Sequence, residues 1–128
     1  MSERTLRGCR ILVVEDEYML ADEMCTELDD AGAIVLGPTG TVQDALDLIS
    51  DQPEIDGAIL DVNLRGEMVF SAADRLAERE VPFVFTTGYD ASMIPPRFKD
   101  VVRCEKPFEL AKVARAIGRA IHGVASPW

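Results

Sequence analysis

Positive charge is in short supply here: 13 lysines and arginines face 23 aspartates and glutamates, for a net charge of −10. Phosphate-backbone recognition needs a basic footprint, so this balance argues against a nucleic-acid partner. Histidine is almost missing, His122 being the single one, and nothing near it in sequence completes a metal site or catalytic pair. Its reading is structural. The cysteines, Cys9, Cys25 and Cys104, are odd in number and lack metal-ligand spacing. They read as reduced thiols of a cytoplasmic protein. No apolar run approaches the length of a signal peptide or a membrane span, so neither export nor membrane insertion is expected. Repeats, low-complexity tracts and interdomain linkers are absent too. What remains is a 128-residue chain, 48% hydrophobic, long enough for one domain (1–128) whose core covers both faces of a sheet. Charge is uneven along it, with net −14 over residues 1–96 and net +4 over 97–128.

Short apolar runs alternate with helical patterns. The runs are Ile11–Val14, Ala33–Leu36, Ala58–Leu60, Phe83–Phe85 and Val101–Val102. None alternates apolar with polar, as expected of parallel strands covered on both faces. Between them, Leu20, Met24, Leu28 and Ala31 mark a helix stopped by Gly32. Val42, Ala45, Leu46 and Ile49 mark another, with Thr41 as its N-cap. Val69, Ala72, Ala73 and Leu76 repeat the spacing, and Leu110, Val113, Ala114, Ile117, Ile121 and Val124 form a long stripe. Lys112, Arg115 and Arg119 along that last helix read as a solvated face. The segment "YDASMIPPRFKD" (89–100) breaks the pattern, because Pro95 and Pro96 remove donors and disfavour helix just before them. Any fourth helix there is short or broken. The prediction is a single α/β domain, a doubly wound five-stranded parallel sheet.

In such sheets ligands bind at the carboxyl ends of the strands. The first strand ends in Glu15-Asp16-Glu17, the third in Asp61, the fourth in Thr86-Thr87-Gly88 and the fifth in Lys106-Pro107. Glu17 reads as an ordinary first-turn acid. Clustered carboxylates repel unless a cation neutralises them, and oxygen ligands without histidine suit a hard divalent ion, Mg²⁺ foremost. A metal, a lysine and a hydroxyl around one carboxylate are the parts phosphoryl transfer requires.

The strings "ILVVEDE", "AILDVN", "VPFVFTTG" and "CEKPF", in this order, resemble the receiver domain of two-component response regulators over nearly the whole chain. That resemblance implies a flavodoxin-like strand order 2-1-3-4-5. It makes Asp61 the phospho-acceptor, Thr87 the phosphate-sensing hydroxyl and Lys106 the active-site lysine. Asp16, Asp61 and the main-chain carbonyl of Asn63 would hold Mg²⁺, with Glu15 acting mainly through water. It also implies a cis Lys106–Pro107 bond. The phosphoryl donor would be a sensor histidine kinase, and the chain would catalyse only its own phosphorylation and dephosphorylation.

Two departures from the family stand out. Arg103 replaces the usual aromatic switch three residues before the lysine, which shifts the expected signal route to the loop Gly88–Met93 and Tyr89. "FTTGYD" is partly similar to a subgroup with an F-A-T-G-hydrophobic-Y signature, implying kinases of the HWE and related types. Because the chain ends at Trp128, soon after its last helix, a stand-alone cytoplasmic receiver is expected. Its output would be a protein contact, a phosphotransfer protein or a phosphate sink, with a homodimer left open. The alternatives fit less well. A haloacid-dehalogenase-like phosphatase needs a second Asp where Asn63 stands, and a flavodoxin-like carrier needs a phosphate loop where the chain has acids.

Overall fold

β-branched and other apolar side chains with no polar alternation build strands that must be covered on both sides. In the computed structural model, which describes residues 6–88 and 93–123, the strands are β1 (Arg10–Val14), β2 (Ile34–Thr39), β3 (Gly57–Asp61), β4 (Asn63–Leu64), β5 (Glu67–Met68), β6 (Phe83–Thr87) and β7 (Arg103–Glu105). Five of them pair in parallel in the order β2-β1-β3-β6-β7, while β4 and β5 form a separate antiparallel hairpin. Counting the sheet strands alone, this is the expected 2-1-3-4-5.

The helices are α1 (Tyr18–Asp30), α2 (Val42–Asp51), α3 (Phe70–Glu78) and α4 (Leu110–His122). Adjacent residues of one strand feed different cores. Leu12, Val14, Leu60 and Phe85 pack with Ala45, Ile49, Ala73 and Leu76 of α2 and α3. Ile11, Val13, Ile59 and Val84 pack with Met24, Leu28, Val113 and Ile117 of α1 and α4. Both sets are apolar because both faces are covered, which is why the strands show no alternation. Cys9, Cys25 and Cys104 are half-buried, and burial raises each thiol above its ordinary pKa.

Local signals behave as their chemistry requires. Thr41 Oγ1 accepts from the Asp44 N–H at 3.1 Å and caps α2. Gly32, with φ of 92°, turns the chain after α1. The other end of α2 is held from outside by Arg79, which donates to the carbonyl of Ile49, to that of Gln52 at 2.9 Å and to that of Pro53 at 3.1 Å.

The fifth sheet strand ends where expected, just before Lys106, but it is Arg103–Glu105 rather than the Val101–Val102 run. The Val101 N–H is used in a turn to the Phe98 carbonyl at 3.0 Å, and Val102, 51% exposed, contributes only its carbonyl, which accepts from the Phe85 N–H at 2.9 Å. β7 is an edge strand with Arg103 and Glu105 exposed, so its neighbouring valines carried a misleading signal. Among the described residues of this segment, the tandem prolines are followed by a short 3₁₀ turn, Pro96–Phe98, and no α-helix is present. Tyr89 to Ser92, and with them the expected signalling role of Tyr89, lie outside the described residues, as do Val124 and Trp128. The Lys106–Pro107 bond is cis, as the resemblance implies; Gly37–Pro38 is also cis, which was not expected.

Candidate functional site

β1 and β3 are adjacent, parallel and in register from Ile11 with Gly57 to Val14 with Leu60. The residues that follow β1, Glu15 and Asp16, therefore lie beside Asp61, the last residue of β3. Carboxylate oxygens of Glu15, Asp16 and Asp61 all fall within 4.8 Å of one another. Glu15 and Asp61 are buried and Asp16 is half-buried. Lys106, just past β7, reaches in from the other side, with Nζ at 3.1 Å from Asp61 Oδ2 and 3.4 Å from Glu15 Oε1.

Backbone contacts fix these groups. The Glu15 N–H donates to the Thr39 carbonyl at 2.9 Å, and the Lys106 N–H donates to the Thr87 carbonyl at 2.7 Å. Glu15 Oε2 accepts from the Glu17 N–H at 3.0 Å, and Asp61 Oδ1 accepts from the Asn63 N–H at 3.3 Å. Asn63 itself is exposed, its side chain accepting from the Gly66 N–H at 2.6 Å.

Burial dominates the electrostatics. It pushes the Glu15 carboxyl up to about 7, with the charge of Asp61 adding to the rise and the Glu17 amide and Lys106 opposing it. Burial also raises Asp61, against the pull of Lys106 and the Asn63 amide. For Lys106, burial works to lower the pKa, but Asp61 and Glu15 together hold it above its ordinary value. Two buried acids share one ammonium group. The set consists of hard oxygens, is short of positive charge, and includes the buried Glu15 Oε1, which has the Lys106 ion pair at 3.4 Å but no hydrogen bond. It fits a hard divalent cation.

A cleft of ≈ 420 Å³ opens over this cluster, lined among others by Asp16, Asp61, Thr87 and Lys106. The hydroxyls of Thr86 and Thr87 are both buried without a hydrogen-bond partner, but only Thr87 of the two lines the cleft. Alternation along β6 separates them. All six candidate residues, Glu15, Asp16, Asp61, Asn63, Thr87 and Lys106, thus gather at one sheet edge. Sequence reasoning missed Arg65, whose Nε lies 3.4 Å from Asp16 Oδ2, and it gave no role to Met68 and Met93, which also line the cleft. The glycine turn after Asn63 was the available signal for Arg65.

Among solved structures, the chain is similar to SdrG from Sphingomonas melonis Fr1, with 39% identity, a TM-score of 0.73, and coverage of 88% of this chain and 97% of that one. A BeF3-activated conformation of SdrG is 38% identical, with a TM-score of 0.72 and coverage of 94% and 99%. A response regulator receiver protein from Sinorhizobium medicae shares the fold at a TM-score of 0.78 and 24% identity, covering 90% and 95%. The chain belongs to the response-regulator receiver family. Among curated relatives, the phyllosphere-induced regulator PhyR of Methylorubrum extorquens is 30% identical over 119 residues, which are 87% of this receiver and 43% of PhyR. The receiver spans about half the length of the curated relatives it matches. No family model matches it. Among the described residues of the receiver, no helix is long and apolar enough to cross a membrane.

Proposed function

We propose that this receiver accepts a phosphoryl group on Asp61 from a phosphohistidine of a sensor histidine kinase, of the HWE or a related type. Asp61 would attack the phosphorus, the P–N bond breaking as the O–P bond forms, and the imidazole would leave with a proton from solvent. Lys106 would neutralise a phosphoryl oxygen, and the buried Thr87 hydroxyl would donate to another. Asp16, Asp61 and the Asn63 carbonyl would hold Mg²⁺, with Glu15 behind them. When bound, the ion supplies neutralisation of the phosphoryl oxygens.

The observation that carries this reading is the convergence on Asp61 of one lysine at 3.1 Å and two further carboxylates within 4.8 Å, at a strand end facing an open cleft. The BeF3-activated form of SdrG supports it, since beryllofluoride mimics a phosphoryl group. On this reading the chain turns over no external substrate beyond its phosphodonor. It acts in the cytoplasm, and its output passes to a protein partner or a phosphotransfer protein.

The test is phosphotransfer from a labelled phospho-kinase. Wild type should take label only with Mg²⁺ present, and Asp61→Asn should take none. Equal labelling of Asp61→Asn, or labelling undiminished by a chelator, would overturn the assignment.

A further inference from the structure

We propose that Arg65 is a tethered cation that competes with the divalent ion for Asp16 and thereby lowers the receiver's metal affinity. This rests on the Mg²⁺ reading above. The hairpin of β4 and β5 begins two residues after Asp61, and its Leu64–Glu67 pair leaves Arg65 and Gly66 as the connecting residues. Both have positive φ, 54° and 94°, as a type I′ turn requires. The Gly66 N–H bonded to Asn63 Oδ1 at 2.6 Å pins the turn. Its tip is thus held over the cleft, which Arg65 lines together with Lys106 and the acids.

The turn does not call for arginine. A left-handed φ favours glycine, asparagine or aspartate, and a long side chain there bears backbone strain. The positive charge is what distinguishes this residue, and it is spent on Asp16, with Arg65 Nε 3.4 Å from Asp16 Oδ2. The Arg65 side chain is 83% exposed and that of Asp16 19%, so the pair stabilises the fold little and exchanges readily. A doubly charged ion on Asp16 would repel the guanidinium and compete with it for the carboxylate. Each would therefore weaken the other's hold, and by linkage the metal would release Arg65 into the cleft mouth.

The test titrates the full chain with Mg²⁺ alone, by calorimetry and by amide chemical shifts, in wild type, Arg65→Asn and Arg65→Lys. Arg65→Asn removes the charge while suiting the left-handed φ, and cross-strand NOEs between Leu64 and Glu67 check that the hairpin persists. Arg65→Asn should bind Mg²⁺ about threefold more tightly or better at low salt. Arg65→Lys should stay near wild type, and in wild type the Arg65 Nε–H resonance should shift as Mg²⁺ binds. Equal or weaker binding by Arg65→Asn overturns the inference while leaving the proposed function intact, as does Arg65→Lys binding as tightly as Arg65→Asn. If neither wild type nor Arg65→Asn binds Mg²⁺, the metal reading fails and this inference with it.

Discussion

Glu15 is the residue on which burial weighs most visibly, with a folded-state pKa of about 7 against an ordinary 4.5. Between those values the folded protein holds a proton that the unfolded chain has released. The associated stability is complete below pH 4.5 and is lost as pH rises through about 7. With a chelator present, wild type should lose on the order of 1–3 kcal/mol across that window relative to Glu15→Gln, whose profile should be flatter. Urea unfolding from pH 5 to pH 8 measures it; parallel profiles for the two proteins would contradict it. Asp16, Asp61 and Lys106 were legible in the sequence because acids and a lysine at apolar strand ends are conspicuous. Thr87 was separable from Thr86 because strand alternation sends neighbours to opposite faces. Arg65 was signalled only by the glycine turn after Asn63, since its reach depends on the handedness of a two-residue turn and not on any spacing of charges.

At the scale of elements, α2 shows how a helix end is held from elsewhere in the chain. Arg79 spreads one guanidinium over the carbonyls of Ile49, Gln52 and Pro53, joining the residue after α3 to the end of α2. Arg79→Ala should cost about 1–2 kcal/mol, and Arg79→Lys should recover only part, because an ammonium cannot match the planar fork. Thermal unfolding decides it; an Arg79→Ala midpoint within error of wild type would refute the capping role. The four α-helices were readable from apolar spacing because each buries one stripe. The start of β7 was misread for the opposite reason. An edge strand of Arg103, Cys104 and Glu105 has little to bury, while Val102 beside it is exposed. The β4–β5 hairpin escaped notice because two-residue strands leave no periodicity to detect.

For the whole molecule, the parallel strand order brings residues from four separate strand ends to one edge. That assembly follows from topology, so the site is legible from the alternation of strands with helical segments, which only the 89–100 stretch interrupts. Mg²⁺ should raise the unfolding midpoint of wild type by mass action and leave Asp61→Asn much less affected. An equal rise in both proteins would place the ion elsewhere. The central claim is that Asp61 carries the phosphoryl group, and chemical trapping tests it most directly. The protein is phosphorylated from a phosphohistidine donor with Mg²⁺, reduced with borohydride, digested and mapped by mass spectrometry. An acyl phosphate on an aspartate is reduced to homoserine, so homoserine should appear at position 61. Homoserine at another aspartate, or a phosphorylated chain in which residue 61 is recovered only as aspartate, would contradict the claim.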